Sequence, residues 1–355
     1  MKNRKFWITA SLICLILGVI LTITGRLMGG QPGFYIDRSG VHASASQYTP
    51  EPVQDSMTLD EFDSMEIHAD YADVELIPSD EFAVEYCVRG RKDNPVCEVK
   101  DGRLYFQETP YAQSYSFGFF TVSMGITVHE PQYYIKIKLP KDTKLSEAVF
   151  DIDCGDLNIS SIQADTLKIT DEYGDVRMDT CKSETLDIQM ESGTLTLGTI
   201  DALQAALCND YGRLKLSRAA GDSLTIKMES GDLKAGEIAY SDMDIVSDYG
   251  NVTVADASGG RLGIRLESGD CRIDRMDCSA ADITNDYGNI SLGLPGETDS
   301  FGFDLKTEYG NIRVGGRRAG YDSGEYDAAY LVDGDGRRTI KAVCESGDIE
   351  IESVK

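Results

Sequence analysis

Between residues 193 and 231 the sequence reads GTLTLGTIDALQAALCNDYGRLKLSRAAGDSLTIKMESG, which is two copies of a 19-residue unit that each begin with glycine. The same spacing separates eight glycines in succession: Gly155, Gly174, Gly193, Gly212, Gly231, Gly250, Gly269 and Gly288. It then lengthens to 22 residues at Gly310 and 37 residues at Gly347. A fixed period of about 20 residues is typical of a solenoid, whose repeats bury their apolar faces only against neighbouring repeats.

Apolar residues within each repeat lie two positions apart, the period of a strand with one buried face. Leu195 and Leu197 occupy the second and fourth positions after a glycine, and Ala205 and Leu207 occupy the twelfth and fourteenth. We therefore predict an all-β fold, a single-chain parallel β-solenoid (β-helix) with 19-residue coils. Each coil would carry two inward-facing strands, separated by a polar turn such as residues 160–165. Like columns favour stacking of each strand on its own copy, and an antiparallel meander is the alternative.

The residues ahead of each glycine alternate between two forms. Met-Glu-Ser-Gly at 190–193 and 228–231 and Leu-Glu-Ser-Gly at 266–269 alternate with Asn-Asp-Tyr-Gly at 209–212 and 285–288 and Ser-Asp-Tyr-Gly at 247–250. Strand alternation puts the first and third positions before the glycine on the core side, so the exchange of large and small residues predicts volume compensation between layers. The tyrosines are then core residues. The glycine is expected to supply a positive φ or a corner too tight for a Cβ.

An uncharged stretch covers residues 6–24, between the basic segment 1–5 and Arg26. As a helix, 19 residues extend about 28 Å, enough to cross the hydrocarbon core of a bilayer. Basic residues ahead of the span assign the amino end to the cytoplasm and the rest of the chain to the outside. We predict a retained transmembrane signal anchor at the cell membrane, single-pass, with an extracellular C-terminal solenoid. A cleaved signal peptide is the alternative.

The domain organisation follows from composition and periodicity. Residues 1–5 form a cytoplasmic basic tail, 6–24 the transmembrane anchor, 25–56 a flexible extracellular tether, 57–150 a strand-rich N-terminal cap and early coils, 151–314 the regular solenoid, and 315–355 irregular last coils and a C-terminal cap. The tether is rich in Gly, Pro and Ser, and the caps would hide open strand edges. Residues 111–127, which contain three phenylalanines, form either a contact surface or a hairpin folded over the solenoid end.

The charge balance limits the kinds of partner. The chain holds 60 acidic and 34 basic residues, a formal net charge of −26. Nucleic-acid binding and docking on anionic lipid both require clustered Lys and Arg, so this balance argues against them. The expected partners are membrane lipid through the N-terminal helix and an unknown protein or glycan ligand, with no nucleic acid.

An acidic residue stands two positions before every corner glycine: Asp153, Glu172, Glu191, Asp210, Glu229, Asp248, Glu267, Asp286, Glu308 and Glu345. Strand alternation predicts that this column faces solvent. Carboxylates stacked about 4.8 Å apart repel each other, and either calcium binding or ordinary solvation, helped by Lys227 and Arg265, could offset the repulsion. Known calcium-binding β-roll repeats use a nine-residue glycine-rich pattern, which this sequence lacks.

The sequence indicates no enzyme, and we expect no catalytic, cofactor-binding or metal site and no cofactor. Glycoside hydrolysis needs two particular carboxyl groups with distinct pKa values, whereas a regular column treats every acid alike. His42, His68 and His129 are scattered, and no nucleophile elbow, phosphate loop or metal-ligand spacing is found.

The nine cysteines do not form a regular framework. Cys14 lies in the predicted span, and Cys271 and Cys344 fall in inward columns, where a free thiol behaves as a small hydrophobe. Cys87 and Cys97 are positioned to pair across a predicted hairpin over residues 84–99, so one disulfide remains open as a prediction.

The corners as a set, for example Glu229-Ser230-Gly231-Asp232 and Asn285-Asp286-Tyr287-Gly288-Asn289, resemble those of a bacterial family of β-strand-repeat (β-solenoid) envelope proteins. The family is named putative adhesin, its domain is formally of unknown function, and the resemblance covers roughly residues 60–355. It implies a β-solenoid on the outer face of the cytoplasmic membrane and lends no catalytic residues.

Two functions follow from these observations. The first is a non-enzymatic, membrane-anchored cell-surface binding or adhesion module. The second is an accessory component of a cell-envelope stress or membrane-maintenance system that contacts a membrane protein of its own cell; the family resemblance implies it, because some relatives belong with envelope-stress systems. A flexible tether of about 30 residues reaches only about 30 Å on average, which favours work close to the membrane.

Overall fold

A computed structural model of the chain describes residues 15, 17–18, 21, 24–25, 34–37, 40–43, 52–89, 95–108, 132–320, 328–333 and 338–354. The chain divides into two units. The first comprises Met1–Glu51 and Pro110–Glu130, and the second comprises Pro52–Thr109 and Pro131–Lys355.

Among the described residues, 15, 17–18, 21 and 24–25 are helical and one short 3-10 helix covers Thr298–Ser300. The other elements are β-strands, so the fold is all-β. The strands are β1 (Phe34–Asp37), β2 (Gly40–Ala43), β3 (Pro52–Thr58), β4 (Ser64–Ala69), β5 (Asp73–Ser79), β6 (Ala83–Arg89), β7 (Val96–Lys100), β8 (Arg103–Gln107), β9 (Tyr134–Pro140), β10 (Leu145–Ile152), β11 (Leu157–Ile159), β12 (Ile162–Tyr173), β13 (Val176–Ser230), β14 (Leu233–Tyr249), β15 (Val252–Ser268), β16 (Cys271–Tyr287), β17 (Ile290–Pro295), β18 (Phe301–Tyr309), β19 (Ile312–Val314), β20 (Arg317–Ala319), β21 (Ala328–Val332), β22 (Arg338–Ser346) and β23 (Ile349–Val354).

From β12 to β16, the strands of the regular coils stack in parallel on their own copies one coil later. Leu233 in β14 lies beside Val252 in β15, and Val252 lies beside Cys271 in β16, a register shift of one 19-residue repeat at every step. The predicted parallel stacking is therefore confirmed for these coils, and the antiparallel meander is wrong for them. Neighbouring coils are about 4.8 Å apart, the spacing of hydrogen-bonded strands.

Each regular coil buries three sets of side chains rather than the two that the sequence predicted. The predicted sets are buried, as Leu157, Ile159, Leu167 and Ile169 illustrate. A third pair comes from the segment expected to be a polar turn. Its members include Ile162 and Ala164, Ile200 and Ala202, and Ile238 and Tyr240, all almost fully buried. This third face is hard to recognise in the sequence because the second residue of the pair is small, polar or aromatic in different coils.

The corner glycines are required by the close approach of successive coils. A Cβ added at Gly212 would come 1.8 Å from the carbonyl oxygen of Gly193, and one added at Gly231 would come 1.6 Å from that of Gly212. No side chain fits at such distances, so the expectation of a corner too tight for a Cβ is confirmed. Gly231 also has φ at +131°, whereas Gly212 does not have a positive φ.

The coil formed by β22 and β23 lies inside the stack. β22 pairs in parallel with β16 on one side and β18 on the other, and β23 lies in the same way between β17 and β19. The corner glycines agree, because Gly347 lies over Gly288 and Gly310 lies over Gly347. The sequence predicted that residues 315–355 supply the last coils. In the structure β18 and β19 lie further out, and the chain returns to fill the gap that they leave.

The opposite end of the stack is built in a related way. β4 and β5 lie next to β10 and β11, while β8 and β9 form the outer layer. Antiparallel strands close both ends: β7 on β8, β6 on β9, β3 on β6, β20 on β19 and β21 on β18. These strands cover edges that could otherwise pair with another chain.

The hairpin predicted over residues 84–99 is wrong, because β6 pairs with β3 and β9 while β7 pairs with β8. Cys87 and Cys97 are free thiols, so the predicted disulfide between them is not formed. The insertion 111–127 lies outside the described residues.

The first unit contains the antiparallel pair β1 and β2. This pair, together with the start of β3, falls in residues 25–56, for which the sequence predicted no regular structure. Most of the predicted anchor 6–24 lies outside the described residues. Among the residues that the structure does describe, no helix has the length and apolar character needed to span a membrane.

Candidate functional site

The tyrosines that precede the corners are exposed, so the prediction that they are core residues is wrong. Their exposed fractions run from 45% at Tyr71 to 70% at Tyr309. The set consists of Tyr71, Tyr173, Tyr211, Tyr249, Tyr287 and Tyr309, and we call it the tyrosine ladder. Tyr71 belongs to it because Ala72 lies beneath Gly155 at the position of a corner glycine.

The corner itself explains the error, because strand alternation does not continue through it. The third residue before the glycine is buried, as predicted, and Asn285 is an example. The next two residues, Asp286 and Tyr287, both point outward. The backbone N–H of Gly269 donates a 2.8 Å hydrogen bond to the carbonyl of Tyr287, which fixes this corner to the coil below.

The buried third position before the glycine alternates between polar and apolar residues. It does not compensate for the volume of the tyrosines, because the tyrosines lie outside the core. In the tyrosine coils from Tyr173 to Tyr309 the buried third position is polar, whereas the coil of Tyr71 has Ala69 there. Asn285 Nδ2 donates to the Gly269 carbonyl at 2.8 Å, and Thr307 Oγ1 donates to the Gly347 carbonyl at 2.9 Å. In serine coils the same position is apolar and buried: Met190, Met228 and Leu266.

The ladder has a regular spacing along the stack. Ser268 separates Tyr249 from Tyr287, and Ser346 separates Tyr287 from Tyr309. A tyrosine therefore stands on every second coil, and the repeat along the stack is about 9.6 Å. The six tyrosines cover ten coil spacings, about 48 Å.

A column of carboxylates runs beside the ladder, two positions before each glycine, and is half-buried or exposed along its whole length. Within the described part of the chain, no Lys, Arg or His forms a salt bridge with any of its members. Elsewhere acids are paired, as Asp244 is with Arg265 at 2.8 Å. Arg265, expected to offset the column, is thus engaged elsewhere.

Crowding within the column affects its ionisation. Burial raises the pKa of Glu172, and the charges of Asp153 and Glu191 raise it further. The hydroxyl of Tyr211 hydrogen-bonds Glu229, and this bond together with the charge of Glu229 raises the pKa of Tyr211. The column and the ladder therefore form one acidic, aromatic surface.

The other side of the glycines holds the backbone in place. Asp232 Oδ1 accepts the backbone N–H of Asn251 at 3.0 Å, Asn251 Oδ1 accepts that of Asp270 at 2.9 Å, and Asp270 Oδ1 accepts that of Asn289 at 2.8 Å. The coils from Asp232 to Asn289 are thus linked to one another beside the ladder. This arrangement keeps the tyrosine backbones at a constant spacing.

The remaining candidate residues form no second site of comparable extent. His68 Nε2 lies 2.9 Å from Glu66 and Nδ1 lies 3.1 Å from Asp151, and His129 lies outside the described residues. No group of three or more His, Cys, Asp or Glu side chains is arranged to hold a metal ion among the residues with described positions.

The arrangement is suited to binding along a line. The faces of tyrosine rings attract apolar groups and cations, and unpaired carboxylates attract cations over several ångströms. A ligand that follows the stack could meet the same pair of features at every second coil.

The comparison with known families decides the relationship of this chain to others. A family model described as Toastrack DUF4097 matches residues 62–352. The chain belongs to the Toastrack DUF4097 family. This result confirms the resemblance drawn from the corners, and the matched range contains the whole tyrosine ladder.

Solved structures similar to this Toastrack chain are bacterial. A putative adhesin from Parabacteroides distasonis ATCC 8503 is 15% identical, with a TM-score of 0.49 over 68% of this chain and 96% of that one. A putative adhesin from Parabacteroides merdae ATCC 43184 is 12% identical, with a TM-score of 0.40 over 86% and 97%. A putative lipid binding protein from Parabacteroides distasonis is 16% identical, with a TM-score of 0.30 over 86% and 97%. No curated protein matches the chain.

Proposed function

We propose that this chain is a non-enzymatic adhesion module, held at the outer face of the membrane by residues 6–24, that binds a partner through the tyrosine ladder. The observation that carries the proposal is the row of six exposed tyrosines at a constant spacing. Soluble proteins seldom expose a contiguous row of large rings without a binding role, and tyrosine is enriched at interfaces because it combines an apolar ring with a polar hydroxyl.

The form of the surface favours binding over catalysis. A catalytic site needs groups that differ in protonation and position. The ladder instead repeats one environment, with tyrosine and carboxylate recurring on every second coil. Such repetition allows many weak contacts to add along an elongated ligand.

The test is an attachment assay on cells that produce the full chain. The variant carries Tyr211→Ser, Tyr249→Ser and Tyr287→Ser, because serine is the native residue at this position in the alternating coils. The matched control is Leu203→Ser, which removes another exposed apolar side chain, ten residues after a corner glycine and therefore away from the ladder. Surfaces coated separately with glycans and matrix proteins serve as targets. We expect saturable attachment by the parent and the control and its loss in the triple variant.

Two results would count against adhesion through the ladder. Attachment equal to that of the parent in the triple variant would remove the ladder from the proposal. Tyrosine-dependent crosslinking to a membrane protein of the same cell, without attachment to any foreign surface, would support the accessory envelope role instead. Equal melting temperatures of the parent and both variants would show that the substitutions act on the surface and not on folding.

The membrane anchor is tested separately. Protease added to intact cells is expected to degrade the solenoid while the amino-terminal tail survives, and deletion of residues 6–24 is expected to release the chain from the membrane fraction. Protection of the solenoid from external protease would overturn the proposed orientation.

A further inference from the structure

We propose that the tyrosine ladder binds a basic, proline-rich peptide segment in the polyproline II conformation. This inference rests on the proposed binding function and names the ligand class. It follows from the charge of the surface, from the spacing of the tyrosines and from their fixed backbone.

Charge selects a cationic ligand. The ten carboxylates of the column lie directly beside the ladder, and none of them has a basic partner in the described part of the chain. On the other side of the glycines, Asp232 and Asp270 add negative charge. Burial raises the pKa of Glu172, and the charges of Asp153 and Glu191 raise it further. A cation that approaches the column offsets this repulsion, so a basic ligand gains both attraction and relief of the repulsion between like charges.

Spacing selects the conformation of that ligand. The tyrosines repeat every two coils, about 9.6 Å. A polyproline II helix has three residues per turn and a rise of about 3.1 Å, so the same face recurs about every 9.3 Å. A β-strand presents the same face about every 6.6 Å, which does not match the ladder. A polyproline II segment of about 16 residues would cover all six tyrosines.

The chemistry of the two rows fits such a helix. Proline rings pack on aromatic side chains, and a preformed polyproline II helix loses little entropy on binding. Lysine or arginine at every third position would face the carboxylate column, while prolines contact the tyrosine faces. The hydrogen bonds from Gly231 to the Tyr249 carbonyl and from Gly269 to the Tyr287 carbonyl, each 2.8 Å, hold the protein side in register.

The inference is tested by fluorescence anisotropy with the full chain in a non-ionic detergent. The probe is a labelled peptide of six Pro-Pro-Lys repeats. One comparison peptide contains six Gly-Ser-Lys repeats, which keep the charge and its spacing without the conformation. A second comparison peptide has the composition of the probe with lysines at irregular intervals. Labelled oligomers of glucosamine and of N-acetylglucosamine, both β-1,4-linked, are titrated in parallel as direct probes.

We expect saturable binding of the Pro-Pro-Lys peptide, weaker binding of both comparison peptides, and weakening with added salt. The triple variant Tyr211→Ser, Tyr249→Ser, Tyr287→Ser should bind about ten- to a hundredfold more weakly, because it loses three aromatic contacts. Leu203→Ser should bind like the parent.

A second variant tests the charge alone. Neutralisation of the column by Glu191→Gln, Glu229→Gln and Glu267→Gln should weaken binding and reduce its dependence on salt. Neutralisation of three exposed acids elsewhere, by Glu184→Gln, Asp201→Asn and Asp222→Asn, is the matched control and should have a smaller effect.

Equal binding of the three peptides would overturn the proposed conformation, because charge alone would then explain the affinity. Tyrosine-dependent binding of the glucosamine oligomers without binding of the Pro-Pro-Lys peptide would overturn the ligand class while the adhesion function stands. If attachment in the cell assay depends on the tyrosines but none of these probes binds, the inference fails and the proposed function survives. If cells that produce the triple variant attach to the coated surfaces as well as cells that produce the parent, the proposed function fails.

Discussion

The backbone N–H of Asn311 donates a hydrogen bond to Oδ1 of Asp348 at 2.8 Å, although Asp348 comes 37 residues later in the chain. The backbone N–H of Asp348 in turn donates to Oδ1 of Asn289 at 3.0 Å. In spatial order the residues that follow the corner glycines are Asp232, Asn251, Asp270, Asn289, Asp348 and Asn311. Charged and neutral acceptors therefore alternate, and no two of these carboxylates lie on adjacent coils.

Asn289→Asp should destabilise the stack, because it brings three carboxylates together on adjacent coils about 4.8 Å apart. The substitution also removes the donor that Asn289 Nδ2 offers to Asp270 Oδ1 at 3.1 Å. We expect a loss of about 1–2 kcal/mol in the free energy of unfolding at neutral pH. Denaturant titration at neutral and acidic pH checks it, with neutral Asn289→Ser as the control. A loss that does not shrink on acidification would contradict the role of charge.

Asp171→Asn should stabilise the protein at neutral pH. Burial raises the pKa of Asp171 to about 7, against the opposing hydrogen bond from the Gly174 N–H at 2.7 Å. Its Oδ2 is buried without a hydrogen-bond partner. Asparagine occupies the equivalent position at Asn285, where its Nδ2 donates to the Gly269 carbonyl at 2.8 Å.

The pKa of Asp171 is higher in the folded protein than in the unfolded chain, so its contribution to stability is fully present below about pH 4 and is lost as the pH rises through about 7. Asp171→Asn should therefore gain about 1–3 kcal/mol at about pH 8 and little at about pH 4. Thermal melting across this range is the measurement. Exposed Asp201→Asn should leave the pH dependence unchanged, and an equal change in both variants would contradict the assignment.

The loss of the proton from His68 should make the protein less stable as the pH rises above about 6.5. Partial burial lowers the pKa of His68, but hydrogen bonds to Glu66 and Asp151 outweigh it, so the net pKa is raised. Arg103 also pairs with Glu66, at 3.0 Å, and with Glu147. The stabilising contribution of the imidazolium is complete below the unfolded pKa and disappears as the pH passes the higher folded pKa.

Melting curves of the Asp171→Asn protein, with and without His68→Gln, isolate this effect of His68 from that of Asp171. The protein that retains His68 should lose melting temperature between about pH 6 and about pH 8. The double variant should show a flatter profile. Parallel profiles would show that the contacts of His68 with the two carboxylates do not depend on its charge.

Glu108→Ala should destabilise the first corner of the stack. Glu108 is almost fully buried, and its Oε2 accepts the backbone N–H groups of Asp70, Tyr71 and Ala72 at 2.9, 3.0 and 3.2 Å. Removing this acceptor should cost about 3 kcal/mol, and Glu108→Gln, which keeps one oxygen, should cost less. Denaturant titration is the measurement, with exposed Glu98→Ala as the control. Equal stability of Glu108→Ala and the control would mean that water replaces the carboxylate.

The regular part of the fold could be predicted because two periods agree. Residues such as Leu233 and Ala235 alternate with polar neighbours within a strand, and they align with Val252 and Val254 one repeat later. Strand geometry and the solenoid period leave few other arrangements. The third buried face was missed because Tyr240 aligns there with Gly259 and Cys278, which share no obvious pattern.

The candidate site could be predicted only in part. The outward column of acids follows from alternation, but the tyrosines do not, because two successive residues point outward at the corner. Alternation predicts that Tyr287 lies in the core together with Asn285, and only Asn285 is there. The polar character of the third position was an available signal, since a buried Asn has to satisfy its amide locally.

The alternation of tyrosine and serine at the corners also indicates the order of the last coils. In chain order the corners read Tyr287, Tyr309 and Ser346, which breaks the alternation of tyrosine and serine. Moving Ser346 between the two tyrosines restores it, and this is the spatial order. A solenoid whose coils stack in the order of the sequence does not account for this break in the alternation.

The internal position of the coil formed by residues 338–354 has a consequence for how the protein reaches its native state. β22 must insert between β16 and β18, which precede it in the chain, so some native hydrogen bonds of both strands cannot form until β22 has been synthesised. Such late, non-local contacts slow folding. The far end of the stack can therefore mature only after β22 has been made, and until then two strand edges stay open to chaperones, proteases or a second unfinished chain.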